Sequence, residues 1–328
     1  GGTGVGLAQD ESVPVPNEGV VANINLNRFD LDAWTALLSD AAGTSVSVVG
    51  PRPAESAASS AASSSALGYL PTSMAIRARE LTVNGRKLNH VVVGGSREGL
   101  TWRANLDATE LNGYLEYRQP SGAGAGRLYA RLARLTLASS SAKDVEAFLD
   151  EQPASIPALD IVVDDFELRG KKMGRVEIEA VNRGGGSVAR EAGAREWRLN
   201  KFNVMTPEAV FTATGNWASL NAQGAAVAPR NAGERRRTVM NFKLDIANAG
   251  DLLTRFGMKE VVRQGKGRME GQVAWVGSPL ALDYPTLSGA FNVNVERGQF
   301  LKADPGIAKL LGVLSLQALP RRLVLDFR

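Results

Sequence analysis

The sequence predicts a mostly β protein, built on a largely antiparallel sheet with a few short helices. Three observations predict it. Apolar residues alternate with polar ones at period two in segment after segment, glycine-rich turns bound those segments, and helical periodicity is confined to short runs. Successive strand residues point to opposite faces, so each segment presents one apolar and one wetted face. A parallel sheet covered on both sides would instead read as continuous apolar runs.

The first clear strand sets Ile24 and Leu26 between Asn23, Asn25 and Asn27. Asp30 then caps a helical turn bearing Leu31, Trp34 and Leu38. Leu100, Trp102, Ala104 and Leu106 alternate next, and Ser141 and Asp144 form a capping-box pattern before Val145, Phe148 and Leu149. Val176, Ile178 and Ala180 alternate with Glu177 and Glu179, and Ala209, Phe211, Ala213 and Trp217 share one side. Met240, Phe242, Leu244 and Ile246 alternate with Asn241, Lys243 and Asp245, after which Asn248 and Asp251 cap a helix carrying Leu252 and Phe256. Met269, Val273 and Trp275 lie opposite Glu270 and Gln272. Phe291, Val293 and Val295 lie opposite Asn292, Asn294 and Glu296. The best-signalled helix is the last, over 305–317. Asp304 is its N-cap, Pro305 takes the first helical position, and Ile307, Leu310, Leu311 and Leu314 form one apolar face. Turns are expected at Asn84-Gly85, Gly94-Gly95 and Gly184 to Gly186. The Ala/Ser stretch Ala54 to Ala66, Gly122 to Gly126 and Gly224 to Gly233 read as loops.

Composition excludes much chemistry. The 328 residues include no cysteine and a single histidine, His90. Disulfide scaffolds, thiolate metal sites and His-cluster metal sites are therefore absent from the sequence. Net charge is +4, and the only basic run is Arg235, Arg236 and Arg237. A nucleic-acid binder would show a basic stripe interleaved with aromatics, so no nucleic-acid partner is expected. No glycine-rich segment carries the G-K-[ST] of a phosphate loop, and no G-x-S-x-G elbow occurs. Asp160, Asp164 and Asp165 miss the spacing of a calcium loop, and Asp164-Asp165 are read as simply preceding a strand. No metal, no cofactor and no catalytic residue is expected. The longest apolar stretch, Ile307 to Leu319, contains Lys309 and Gln317 and is too short for the ~20 residues of a membrane span. The chain starts without Met and stops within an alternating pattern at Leu323, Leu325 and Phe327, and reads as a segment of a longer protein.

An imperfect repeat organises the middle. ELTVNGRKLNHVVV (residues 80–93) and DFELRGKKMGRVEI (165–178) align on Gly85 and Gly170, and each leads to a Trp-Arg pair, Trp102-Arg103 and Trp197-Arg198. We expect repeat units at about 70–150 and 155–257, then C-terminal strands and the helix within 258–328, all inside one elongated segment 1–328 without a strong domain boundary. Repeats that each expose an apolar face stack to share an interior. The helices are too few and short to cover this much sheet, so the apolar face needs a partner layer or an apolar ligand.

Residues 265–328 carry a specific resemblance. Its pieces are Trp275 through Pro279, Leu287-Ser288-Gly289, Gly298-Gln299-Phe300, Pro305-Gly306 and LLGVLSLQALPRRL from Leu310 to Leu323. Residues 26–38, 70–88 and 196–217 match more loosely. The chain resembles the C-terminal region of the YhdP family of AsmA-like proteins, departing from it in the Ala/Ser insert and in lacking the family's N-terminal membrane anchor. The resemblance implies a twisted, curled β-sheet forming an apolar groove, in the periplasmic portion of an inner-membrane-anchored protein of a Gram-negative bacterium. It implies non-enzymatic phospholipid transport toward the outer membrane, with no catalytic residues to carry over.

On this reading the partners are phospholipid acyl chains, with a membrane surface or an envelope protein at the ends. The expected groove lining is Ile24, Trp102, Ile178, Phe211, Phe242, Leu244, Trp275, Phe291 and Val293. Ile307, Leu310, Leu311 and Leu314 are expected on a helix that caps the groove end or contacts a membrane, where Lys309, Arg321 and Arg322 would meet anionic head groups. The alternatives are a periplasmic scaffold for envelope assembly with a dry core, and a β-solenoid enzyme acting on polysaccharide. The last would need a carboxylate cluster on one face, which the sequence does not show.

Overall fold

A computed structural model describes residues 3–7, 20–33, 72–83, 85–121, 124–137, 156–183, 196–219, 236–279 and 283–300. These residues are overwhelmingly β, and they divide into two compact units. Strand order follows chain order in each, and neither order closes into a barrel.

Unit 1 holds β1 (Thr3–Leu7), β2 (Val20–Asp30), β3 (Ser73–Val83), β4 (Arg86–Glu98), β5 (Thr101–Asp107), β6 (Leu111–Arg118) and β7 (Arg127–Leu137). From β3 onward each pair is antiparallel, but β1–β2 and β2–β3 are parallel, which the alternation did not reveal. Parallel neighbours need a long connection between them, and β2 ends at Asp30 while β3 begins only at Ser73. The tight antiparallel turn at Gly85 is as expected, with φ +70. Gly94 and Gly95, by contrast, lie inside β4 and not in a turn. A Cβ on Gly95 would stand 2.9 Å from the Arg103 carbonyl of the next strand, so this glycine marks a close backbone approach. The core of the unit gathers Phe29, Ala78, Leu81, Val91, Val93 and Ala108. Asp30 caps the turn after β2 as expected, its Oδ1 accepting from Ala33 N at 2.9 Å.

Unit 2 holds β8 (Ala158–Leu168), β9 (Lys171–Arg183), β10 (Glu196–Met205), β11 (Ala209–Ser219), β12 (Arg236–Ile246), β13 (Val262–Val276) and β14 (Ser288–Phe300), each antiparallel to the next. Helix α1 (Ala249–Arg255) joins β12 to β13, and a single 3-10 turn, Tyr284–Thr286, precedes β14. Asn248 is the N-cap of α1, accepting from Asp251 N. At the helix's other end Arg255 makes a two-pronged ion pair with Glu208 (2.6 and 2.8 Å), tying α1 to the β10–β11 turn. The β8–β9 turn at Gly170 has φ +73, close to the value at Gly85. The expected helices after Ser141 and at 305–317, most of that after Asp30, and the loops at 54–66, 184–186 and 224–233 lie outside the described residues.

Candidate functional site

The register of unit 2 shows which side chains share a face. Across the strands run the residues Ile161, Ile178, Phe202, Ala213, Phe242, Gly271 and Phe291, each the register partner of the next. The neighbouring row reads Val163, Val176, Val204, Phe211, Leu244, Met269 and Val293. Ile178, Phe211, Phe242, Leu244, Phe291 and Val293, picked from alternation alone, therefore sit on one face. All six are half-buried. Their aromatic rings meet diagonally between strands. Phe202 stands edge-on to Phe211 at 5.8 Å and Phe211 stacks on Phe242 at 6.4 Å, geometries that favour aromatic pairs. Gly271 keeps the backbone open between Phe242 and Phe291, because a Cβ there would strike the Ala290 carbonyl. We call this area the floor.

One end of the same face is different. Trp197, Trp217, Thr238 and Trp275 form a row in register at the starts of β10 and β12 and the ends of β11 and β13. Trp197, Trp217 and Trp275 are 5%, 1% and 3% exposed, so Trp275 of the expected lining belongs to a packed bank. Ile156, Ala180 and Leu199 pack there with Trp197 and Trp217. Trp275 Nε1 donates to the Ser278 carbonyl at 2.9 Å, and Thr238 Oγ1 donates to the Gly277 carbonyl at 2.8 Å.

The opposite face is polar. Arg175 and Lys201 pair with Glu177 at 3.1 and 3.4 Å, and Lys243 and Arg268 pair with Asp245 at 3.0 and 2.6 Å. The hydrogen bond from Arg175, helped by Lys201, holds the Glu177 carboxyl below its ordinary range. Those from Arg268 and Lys243 do the same for Asp245. Exposed pairs of this kind add little stability. They keep this face wet. A cavity of about 380 Å³ lies at the far ends of the strands, among Thr206, Val210, Asp245, Lys266, Arg268 and Glu296. Its lining is mixed and gathers no reactive group.

Unit 1 repeats the two-faced plan. Ile24, Ile76, Val93, Leu106, Gly113 and Leu132 form one row, and Arg97, Trp102, Tyr117 and Leu128 another on the same face. Ile24 and Trp102 thus share a face within their unit, and both are half-buried. The Arg97 guanidinium lies 5.7 Å over the Trp102 ring. Ile307, Leu310, Leu311 and Leu314 lie outside the described residues.

Sequence reasoning passed over Phe202 and Val204, which complete both floor rows. The register of β10 shifts between Leu199 and Phe202. That bulge flips the alternation, so Trp197 and Leu199 share a face with Phe202 and Val204 despite the odd spacing. A break of one residue between two alternating runs was the only signal available.

His90 is exposed at a left-handed position (φ 54) in β4, with Nδ1 3.3 Å from Thr109 Oγ1. Among the described residues no three acidic or histidine side chains gather as a metal site, and no helix is long and apolar enough to cross a membrane. What the fold defines is an open, mostly antiparallel sheet with one apolar and one polar face. The chain belongs to the YhdP family, whose model matches residues 3–328. Comparison with curated proteins gives no match.

Proposed function

We propose that this chain binds and conducts phospholipid without chemistry, the acyl chains lying along the rows of the apolar face while head groups stay in water. Membership of the YhdP family supports a general role in lipid binding or transport. The observation that carries the groove reading is the incomplete burial of a continuous apolar surface. In a dry sandwich Phe211, Phe242, Leu244, Met269, Phe291 and Val293 would be fully covered, as the tryptophans of the bank are. Each remains half-buried instead, and Val295 on the same face is 64% exposed.

Exposing acyl chains to water costs about 0.8 kcal/mol per CH₂. An unbroken apolar floor lets each step exchange one apolar contact for another, so movement needs no tight site. On this reading the segment works in the periplasm, as part of an inner-membrane-anchored protein, with Ile24 and Trp102 lining the equivalent surface in unit 1. The repeats at about 70–150 and 155–257 each supply an apolar face of this kind.

The test is lipid mass spectrometry on the purified chain. Phospholipid should accompany the wild type, be lost from Phe242→Asp and Phe291→Asp, and persist in Lys243→Asp on the polar face. Trp275→Asp is unsuitable because it strikes the packed bank. A folded, lipid-free wild-type chain would transfer the assignment to a dry scaffold.

A further inference from the structure

The three bank tryptophans differ in one respect. Trp275 Nε1 donates to the Ser278 carbonyl at 2.9 Å and Trp197 Nε1 to the Pro157 carbonyl at 3.4 Å. Trp217 is the most buried of the three at 1% exposure, yet among the described residues its Nε1 has no acceptor. A donor withdrawn from water and left unpaired is costly and rare, and it calls for an acceptor from outside the chain. A crevice of about 10 Å³ is lined by Leu199, Gly215, Met240 and Pro279 together with Trp197 and Thr238, the register partners of Trp217 on either side. It has room for one oxygen-sized group and no more. The Arg236 guanidinium lies 5.4 Å over the Trp217 ring, a cation–π distance.

The order of chemistry along β12 is the second observation. On the apolar face it runs Phe242, Met240, Thr238, Arg236, with Trp217 in register with Thr238. The surface thus passes from hydrocarbon floor, to a row of hydrogen-bonding groups, to a cation. A glycerophospholipid has the same order: acyl chain, ester carbonyl, phosphate.

We propose that Trp217 Nε1 donates to an ester carbonyl of a bound phospholipid, whose phosphate lies toward Arg236. The bank, on this account, fixes which side of the conduit the head groups occupy. The sister indoles both satisfy themselves with carbonyl oxygens, and the ligand supplies the third. The Arg97–Trp102 pair gives unit 1 a similar cation-over-indole rim. This inference rests on the lipid reading above and deepens it.

The test compares diacyl phosphatidylglycerol with its ether-linked counterpart of matched chains, using the full 328-residue chain and Trp217→Phe. The variant keeps an aromatic ring in the packed bank but removes the donor together with part of the indole's volume, and the matched ether lipid controls for that loss of packing. Wild type should bind the ester lipid about fivefold more tightly than the ether lipid, the worth of one hydrogen bond. Trp217→Phe should erase that preference while leaving ether-lipid affinity unchanged. Trp275→Phe, whose indole is already engaged within the chain, should keep the preference. Equal weakening for both lipids would place a phosphate oxygen or simple packing at the site, and an unchanged preference would leave the indole to water. Either overturns the proposal while sparing the lipid reading. Wild type that binds neither lipid would overturn both.

Discussion

The tryptophan bank and the phenylalanine floor of unit 2 share the same strands, the same face and the same alternation, yet one is sealed and the other open. Trp217 and Trp275 are almost wholly buried, whereas Phe211, Phe242 and Phe291, a few residues along, are half-buried. Alternation therefore says which face is apolar but not which part of it is core. The sealed part packs the strand ends together and offers a ligand only the unpaired Trp217 donor, whereas the open part is free to meet acyl chains. At the other ends of the strands the sheet is secured differently, by the ion pair of Arg255 with Glu208.

The largest expected effect is on the bank. Trp217→Ala should cost about 3–5 kcal/mol by cavity formation, read as a lower urea midpoint. Phe242→Ala, on the floor, should cost less, about 2 kcal/mol, since part of its surface is already exposed to solvent and the site leaves no closed void. Equal costs would erase the distinction between bank and floor.

Glycines sharpen the same comparison. Gly271→Ala should cost about 1–3 kcal/mol because the new methyl meets the β14 backbone across the floor. Gly94→Ala should stay within about 0.5 kcal/mol, because nothing lies within 4 Å of its would-be Cβ. Thermal melts of the two variants would check this.

A smaller effect tests the far end. The Arg255 hydrogen bond holds the Glu208 carboxyl below its ordinary range. A depressed carboxylate contributes stability that is present above its unfolded pKa, about 4.3, and is lost as pH falls through the lower folded value. Wild type should therefore exceed Glu208→Gln in urea midpoint at pH 7, with the gap closing below about pH 4. A gap that persists at pH 3 would show that the pair is not what docks α1. Least of all, Lys243→Asp should leave lipid retention as in wild type.

Much of this was legible in the sequence. Alternation found the strands, placed Phe211, Phe242, Leu244, Phe291 and Val293 on one face, and the Asn248–Asp251 cap marked α1. Four things were not legible, each for a physical reason. The parallel pairing of β1, β2 and β3 depends on a crossover path that half-buried alternation does not encode. Gly94-Gly95 looked like a turn because glycine serves both turns and close strand approaches. The β10 bulge concealed Phe202 and Val204 by shifting the period. The sealing of Trp275 could not be seen either, since burial within an apolar face depends on which neighbours fold over it.

The most direct test of the central claim is photo-crosslinking to co-purifying phospholipid, with a benzophenone amino acid replacing Phe242, Phe291, Lys243 or Glu270 in turn. The account predicts phospholipid adducts, seen by mass spectrometry, from positions 242 and 291 and none from 243 or 270. Adducts in equal yield from both faces, or from neither, would contradict it.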